Sequence, residues 1–264
     1  MVVADLHVHT TNSDGSLTLA TLPEAAERAG VEAVAVTDHD RVHPDLDRPL
    51  TTLEGFEIVH GIELGVTTGA LRVDLLGYGV RRTERLQELL ETVQANRVER
   101  ARQIVACVED ELGVELAVDV EPGIHRTHIA RAIDRSDAPY DYRRARDELI
   151  GDGCPCHVPR TVPEFDRGRR VLSEACGLVG LAHPLRYAEP EHALALTADL
   201  DAVELAYPYD RAVDVAPVEA VIDDHDLVPT GGSDAHDDRL GRAGVDRSTY
   251  DRVRSKILEG DGLA

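Results

Sequence analysis

The chain has 264 residues and a formal net charge of −22 at pH 7, with Lys256 its only lysine and arginine supplying the other basic side chains. That length suits one barrel-sized domain with an insertion, and no Pro/Gly/Ser-rich linker divides it. The charge excludes long-range attraction of a polyanion in dilute buffer, so no stable nucleic-acid complex is expected.

The first predicted strand is Val2 to Leu6, a buried run that continues into His7-Val8-His9 and sets two imidazoles on one side of a period-two backbone. Asp14 follows in the polar turn Thr11 to Gly15, which can fold a carboxylate back over the same point. A helix is expected from Leu19 to Ala29, with Thr18 as its N-cap and Gly30 ending it. The next apolar run, Ala33 to Thr37, ends in Asp38-His39-Asp40. A third, Glu57 to Glu63, ends in a carboxylate able to bridge two metals, and a fourth strand is expected over 71–78.

From Arg81 to about Arg170 the alternation stops. Leu86, Leu89, Leu90, Val93, Val98, Ile104, Val105 and Val108 recur at helical spacing over 82–112, which predicts one long amphipathic helix or a pair. Short helices are expected at 127–134 and near 140–149. Residues 81–170 therefore read as a helical insertion, a cap, and residues 1–80 with 171–264 as the barrel. Leu178 to Ala182 then leads to His183-Pro184, a strand over 202–206 carries Glu204, and a strand over 226–230 leads to Asp234-Ala235-His236. That Asp-x-His repeats the same-face logic of the opening His-x-His.

Five histidines, His7, His9, His39, His183 and His236, thus sit where short apolar runs end, each with a carboxylate nearby or matched further along. A single histidine of this kind is more often a satisfied core or surface residue. Five in one chain point to a metal site at the carboxyl ends of barrel strands. No apolar run approaches a membrane span and no signal h-region opens the chain, so a cytoplasmic protein is expected. Cys107, Cys154, Cys156 and Cys176 lack zinc-finger spacing, and Cys154-Pro155-Cys156 is too cramped for a bridge within the loop, so reduced thiols are expected. The acidic surface exceeds what solubility requires and is similar to that of halophile proteins, with marginal folding expected below molar salt.

The series His7-x-His9, Asp14, Thr37-Asp38-His39-Asp40, Gly61-x-Glu63, Ala182-His183-Pro184 and Gly232-Ser233-Asp234-x-His236 resembles the PHP (polymerase and histidinol phosphatase) family of metal-dependent phosphoesterases. Asp5-Leu6-His7-Val8-His9-Thr10-Thr11-Asn12-Ser13-Asp14-Gly15 and Arg126-Thr127-His128-Ile129-Ala130-Arg131 look most like its nucleotide branch. The resemblance implies an α/β fold, a distorted (β/α)7 barrel with a helical cap, which agrees with the seven strands counted above. It implies two or three divalent ions. His7, His9, Glu63 and Asp234 would hold one ion, Glu63, Asp74 and His183 a second, and Asp14, His39 and His236 a third. Asp74 stands where the family usually has histidine, which tilts the site toward manganese or magnesium and away from zinc, with iron also open.

The implied activity is hydrolysis of a nucleotide phosphate ester, a 3',5'-bisphosphate or the 5' end of a short oligoribonucleotide. The alternatives are a small phosphomonoesterase of the histidinol phosphatase kind, or a non-catalytic metal module. Asp14, Arg126 and His128 are the candidate catalytic residues, and Arg126, His128, Arg160 and Arg186 the candidate substrate contacts. His43, His60, His125, His157, His192 and His225 match no motif and read as surface or packing residues. Asp5 and either Asp38 or Asp40 are candidates to steady a ligand, the last two by orienting an imidazole. Glu204 could hydrogen-bond a ligand histidine, and a buried salt bridge is equally open.

Overall fold

A computed structural model of the chain describes residues 1–53 and 55–259. They form two compact units, the described residues of 1–89 with 163–259, and residues 90–162.

The first unit is built on a curled, open half-barrel sheet. Its strands are β1 (Ala4–Val8), β2 (Ala33–Val36), β3 (Leu50–Leu53), β4 (Phe56–Thr67), β5 (Arg72–Tyr78), β6 (Leu178–Leu181), β7 (Ala202–Ala206) and β8 (Val228–Gly231). They are ordered β1-β2-β4-β5-β6-β7-β8, with β3 paired to β4 off that path. The seven on the path are the seven runs expected from the sequence. β3 was not expected: Leu50-Thr51-Thr52-Leu53 is short, and it exists by pairing antiparallel with β4. A parallel bridge from Val8 to Ala235 brings the end of the chain back against β1.

Apolar alternation does not report strand direction, and direction matters here. β1, β2 and β4 run parallel, as do β6, β7 and β8, but β5 is antiparallel to both of its neighbours. The hairpin from β4 into β5 therefore places the amino end of β5 beside the carboxyl ends of the other strands. Behind the sheet, Tyr250, Val253 and Ile257 of the helix Arg247–Glu259 pack on Leu76, Tyr78, Leu178 and Val228.

The first helix starts later than expected. α1 is Leu22–Ala29 with Thr21 as N-cap, because Thr18 and Thr21 interlock through their hydroxyls and Pro23 fits only the first turn. Gly30 closes it in the left-handed region at φ 70°, as expected.

In the second unit the periodic stretch is one helix, α2 (Glu84–Leu112), which enters it from the first. α3 (Arg126–Arg135) follows, then α4 (Tyr142–Arg144) running into a π turn over Ala145–Leu149. Val98, Ile104, Val108, Ile129, Ile133 and Leu149 form its core.

One expectation is overturned here. Cys107 and Cys156 are joined in a disulfide, leaving Cys154 and Cys176 as thiols. Spacing along the chain could not reveal a partner 49 residues away, on a helix that packs against the 150–158 loop. Among the described residues no helix is long and apolar enough to cross a membrane.

Candidate metal centre

The ligand end of the first unit is assembled by close backbone approach. Gly232 passes so near β1 that a Cβ there would lie 2.3 Å from the His7 nitrogen and 2.4 Å from its Cβ. Asp5, fully buried, accepts hydrogen bonds from the backbone of Ser233 at 2.8 Å and Gly241 at 2.8 Å. It thereby fastens the strand carrying His7 to the segment carrying Asp234. Asp38 accepts from Thr10 N and Oγ1, both at 2.7 Å, from Ser13 Oγ at 2.7 Å and from Asn12 Nδ2 at 3.1 Å. Its carboxylate shapes the turn that presents Asp14, so the expected role of orienting an imidazole does not fall to Asp38. Asp40 accepts from the Gly65 backbone at 2.9 Å.

All nine residues expected to meet are brought together. They form three overlapping groups: His7, His9, Glu63 and Asp234; Glu63, Asp74 and His183; and His9, Asp14, His39 and His236, with donor atoms within 4.8 Å of one another in each. The third group gains His9, which the sequence reading had placed in the first alone. Glu63 belongs to two groups: Oε2 lies 3.4 Å from Nε2 of both His7 and His9 and 2.7 Å from His39 Nδ1, while Oε1 lies 3.0 Å from His183 Nε2. Asp74 belongs to the second group because the reversed β5 starts there. Two members have backbones that favour glycine, His183 at φ 29° and Asp234 at φ 48°. Strain of this kind concentrates at functional sites.

Glu204, fully buried on β7, is the neighbour that connects the groups. Its Oε1 lies 3.1 Å from His7 Nδ1, and its Oε2 accepts from the His183 backbone at 2.7 Å. With Nδ1 donating to Glu204, His7 turns Nε2 toward Glu63 and Asp234. Tyr207 and Arg186 converge on the other oxygen of Asp234: Tyr207 OH at 2.8 Å and Arg186 Nη1 at 2.9 Å from Oδ2. Sequence reasoning missed Tyr207. A tyrosine three residues beyond Glu204 carries no motif, and its role is visible only once β7 and the segment after β8 are neighbours.

The donors suit cations. His7 Nε2 is buried without a hydrogen-bond partner and faces Glu63 Oε2 at 3.4 Å, an arrangement that costs free energy unless something positive lies between them. Burial works against charge on Glu63, yet His39 and His7 hold it well below the usual carboxylate range. Asp234 is likewise opposed by burial and driven below that range by His7 and His9. Burial, reinforced by His39 and His236, pulls His9 down to about 4, so its imidazole is neutral and can donate a lone pair at neutral pH. Five imidazoles and four carboxylates without a thiolate form a donor set for divalent cations.

The expected substrate contacts divide between the units. Arg186 is at the centre, half exposed and bonded to Asp234. Arg126, His128 and Arg160 belong to the second unit. There Arg126 pairs with Asp152 at 2.8 Å, and His128 Nδ1 accepts from the His125 backbone at 3.0 Å, capping α3. Among the residues set aside, His60 is buried with both ring nitrogens lacking a hydrogen bond, which fits packing rather than surface exposure.

The PHP domain model matches residues 5–145. The chain is 28% identical to the 3',5'-nucleoside bisphosphate phosphatase of Chromobacterium violaceum over 89% of its own length and 88% of the relative's. It is 29% identical to the phosphoribosyl 1,2-cyclic phosphate 1,2-diphosphodiesterase of Eggerthella lenta, over 89% and 94%. Among solved structures, a protein of Bifidobacterium adolescentis described as a metal-dependent phosphoesterase superposes with a TM-score of 0.80 at 23% identity, covering 97% of this chain and 96% of that one.

Proposed function

The chain belongs to the PHP-domain family of metal-dependent hydrolases, and from that premise we propose that it hydrolyses a phosphate ester of a nucleotide. The observation that carries the reading is Glu63, shared between two donor groups that meet the third through His9. Divalent ions held there would bring a water close to neutral pKa and offset the charge of phosphoryl oxygens.

The protein's own residues set the rest. Glu204 fixes the tautomer of His7. Asp14, held by the turn that Asp38 shapes, completes the third group. Arg186, half exposed at the rim, can exchange its bond to Asp234 for a phosphoryl oxygen as substrate arrives. Arg126, His128 and Arg160 are proposed as further substrate contacts from the insertion. Of the nine donors only Asp74 departs from the family pattern, and it favours manganese over zinc. The relatives' names, a nucleoside bisphosphatase and a phosphoribosyl phosphodiesterase, share a phosphorylated ribose, which supports this substrate class.

The test is phosphate release from adenosine 3',5'-bisphosphate in manganese and molar potassium chloride. AMP, histidinol phosphate and a short 5'-phosphorylated RNA serve as comparisons, and His9→Ala as control. Release that the control abolishes is the expected result. No turnover of any ester, with metal bound, would overturn the reading.

A further inference from the structure

Aromatic residues are scarce in this chain, with seven tyrosines, two phenylalanines and no tryptophan. Three of the tyrosines nevertheless gather on one side of His183. The rings of Tyr187 and Tyr207 are centred 5.6 and 5.5 Å from its imidazole, and Tyr209 stands one ring further out, 4.7 Å from Tyr207. The buried core is filled mainly by alanine, valine, leucine and isoleucine, so packing alone gives no reason to concentrate aromatic rings here.

Their hydroxyls are already engaged. The Asp74 backbone donates to Tyr187 OH at 2.8 Å, the Leu185 backbone donates to Tyr209 OH at 3.2 Å, and Tyr207 OH donates to Asp234. The rings are therefore held at their polar ends, while all three side chains stay only partly buried. Tyr207-Pro208-Tyr209 is a stiff turn closed by Tyr209 N donating to Tyr207 O at 2.9 Å, with proline fixing the middle φ. The Arg186 guanidinium lies 5.6 Å from the centre of the Tyr207 ring and is half exposed.

Fixed aromatic faces beside a planar cation, next to a phosphate-handling centre, form a surface on which a heteroaromatic base stacks. We propose that Tyr209 and Tyr207 form the subsite for the base of the substrate, beside the Arg186 that takes the phosphoryl oxygen, so that the site selects base-bearing nucleotides over bare sugar phosphates. This inference rests on the phosphoesterase reading above. Tyr187 and Tyr207 also flank His183, whereas Tyr209 bonds the backbones of Leu185 and Tyr207 and, among the described residues, none of the nine donors. Tyr209 is therefore the residue on which base recognition separates from support of the centre.

The experiment compares wild type, Tyr209→Leu and Tyr209→Phe. The first readout is binding of 2-aminopurine riboside 5'-phosphate, whose fluorescence is quenched by stacking. The second is the kcat/KM ratio between adenosine 3',5'-bisphosphate and ribose 5-phosphate. The expected result is quenching in wild type and a roughly tenfold loss of both affinity and preference in Tyr209→Leu. Tyr209→Phe, which keeps the ring and loses the bond to Leu185, is expected to retain both. Turnover with equal preference in wild type and Tyr209→Leu, or loss of preference in Tyr209→Phe as deep as in Tyr209→Leu, would overturn the subsite alone. Absence of turnover of every ester, a generic aryl phosphate included, would instead overturn the reading beneath it.

Discussion

Replacing Glu204 by glutamine changes one atom and reverses one hydrogen-bond direction. Glu204 is fully buried and uses both oxygens, one with His7 Nδ1 at 3.1 Å and one with the His183 backbone N–H at 2.7 Å. Both partners donate, and a glutamine offers one acceptor and one NH2 group. If its oxygen stays with His183, the NH2 faces His7 Nδ1 and drives the His7 proton onto Nε2, the nitrogen aimed at Glu63 and Asp234. If the amide flips, two donors collide at His183. Either way a charge-assisted buried bond worth roughly 1.5–3 kcal/mol is lost, and supporting residues of this kind change metal affinity about 10- to 100-fold. The expected outcome for Glu204→Gln is therefore manganese binding weakened by about 1.4–2.7 kcal/mol, with the far-UV circular dichroism of the fold retained. Titration of free manganese by electron paramagnetic resonance reads it directly. Wild-type affinity in a folded Glu204→Gln variant would refute the argument that the tautomer of His7 is set from β7.

His60 is pulled down to about 4 by burial and by Arg82 and His43. The unfolded chain takes up a proton below about pH 6.5 that the folded protein refuses, so stability falls as pH drops from there toward 4, by up to about 3 kcal/mol. His60→Leu should flatten that limb in urea unfolding at a series of pH values; an unchanged slope would assign the acid sensitivity elsewhere. Gly232→Ala forces a methyl into the His7 backbone, and calorimetry is expected to show a loss of about 1–3 kcal/mol or more together with metal release. Thiol titration of the native protein should count two free cysteines, and reducing the Cys107–Cys156 bond, which spans 49 residues, should cost about 4 kcal/mol in the chain-entropy picture. With a net charge of −22, the urea midpoint should rise from dilute to molar potassium chloride as self-repulsion is screened; a midpoint independent of salt would show that the acidic surface has no such cost.

Which residues would meet was legible because a parallel strand ends where its apolar run ends, so His9, His39, His183 and His236 each announced a position at one edge of the sheet. Asp14 was legible as a carboxylate in a polar turn and Glu63 as the end of an apolar run, although β4 continues past Glu63 to Thr67. Asp74 did not, since it sits near the start of its strand and alternation in Arg72–Tyr78 reads the same in either direction. The supporting residues were legible by type but not always by task. Asp5 steadies the ligand segments through their backbone, and Asp38 through the backbone and hydroxyls of the turn rather than by orienting an imidazole. The Cys107–Cys156 pairing and the Tyr207–Asp234 contact join residues distant in sequence, and no local pattern encodes such contacts.

The reversal of β5 separates the inheritance of one donor from that of the others. Positions 39, 183 and 236 are delivered by strands whose neighbours arrive through long crossovers, so moving any of them disturbs a whole layer of the fold. Position 74 is delivered by a hairpin, with Thr67 paired to Arg72 and Gly65 facing Asp74 two residues further along the β4–β5 register. Its side chain can be exchanged, or its register trimmed, by changes confined to a few neighbouring residues. A change of donor in this hairpin therefore disturbs fewer neighbours than a change at positions 39, 183 or 236, and the hairpin is the least entangled place from which the chemistry of the centre can be altered.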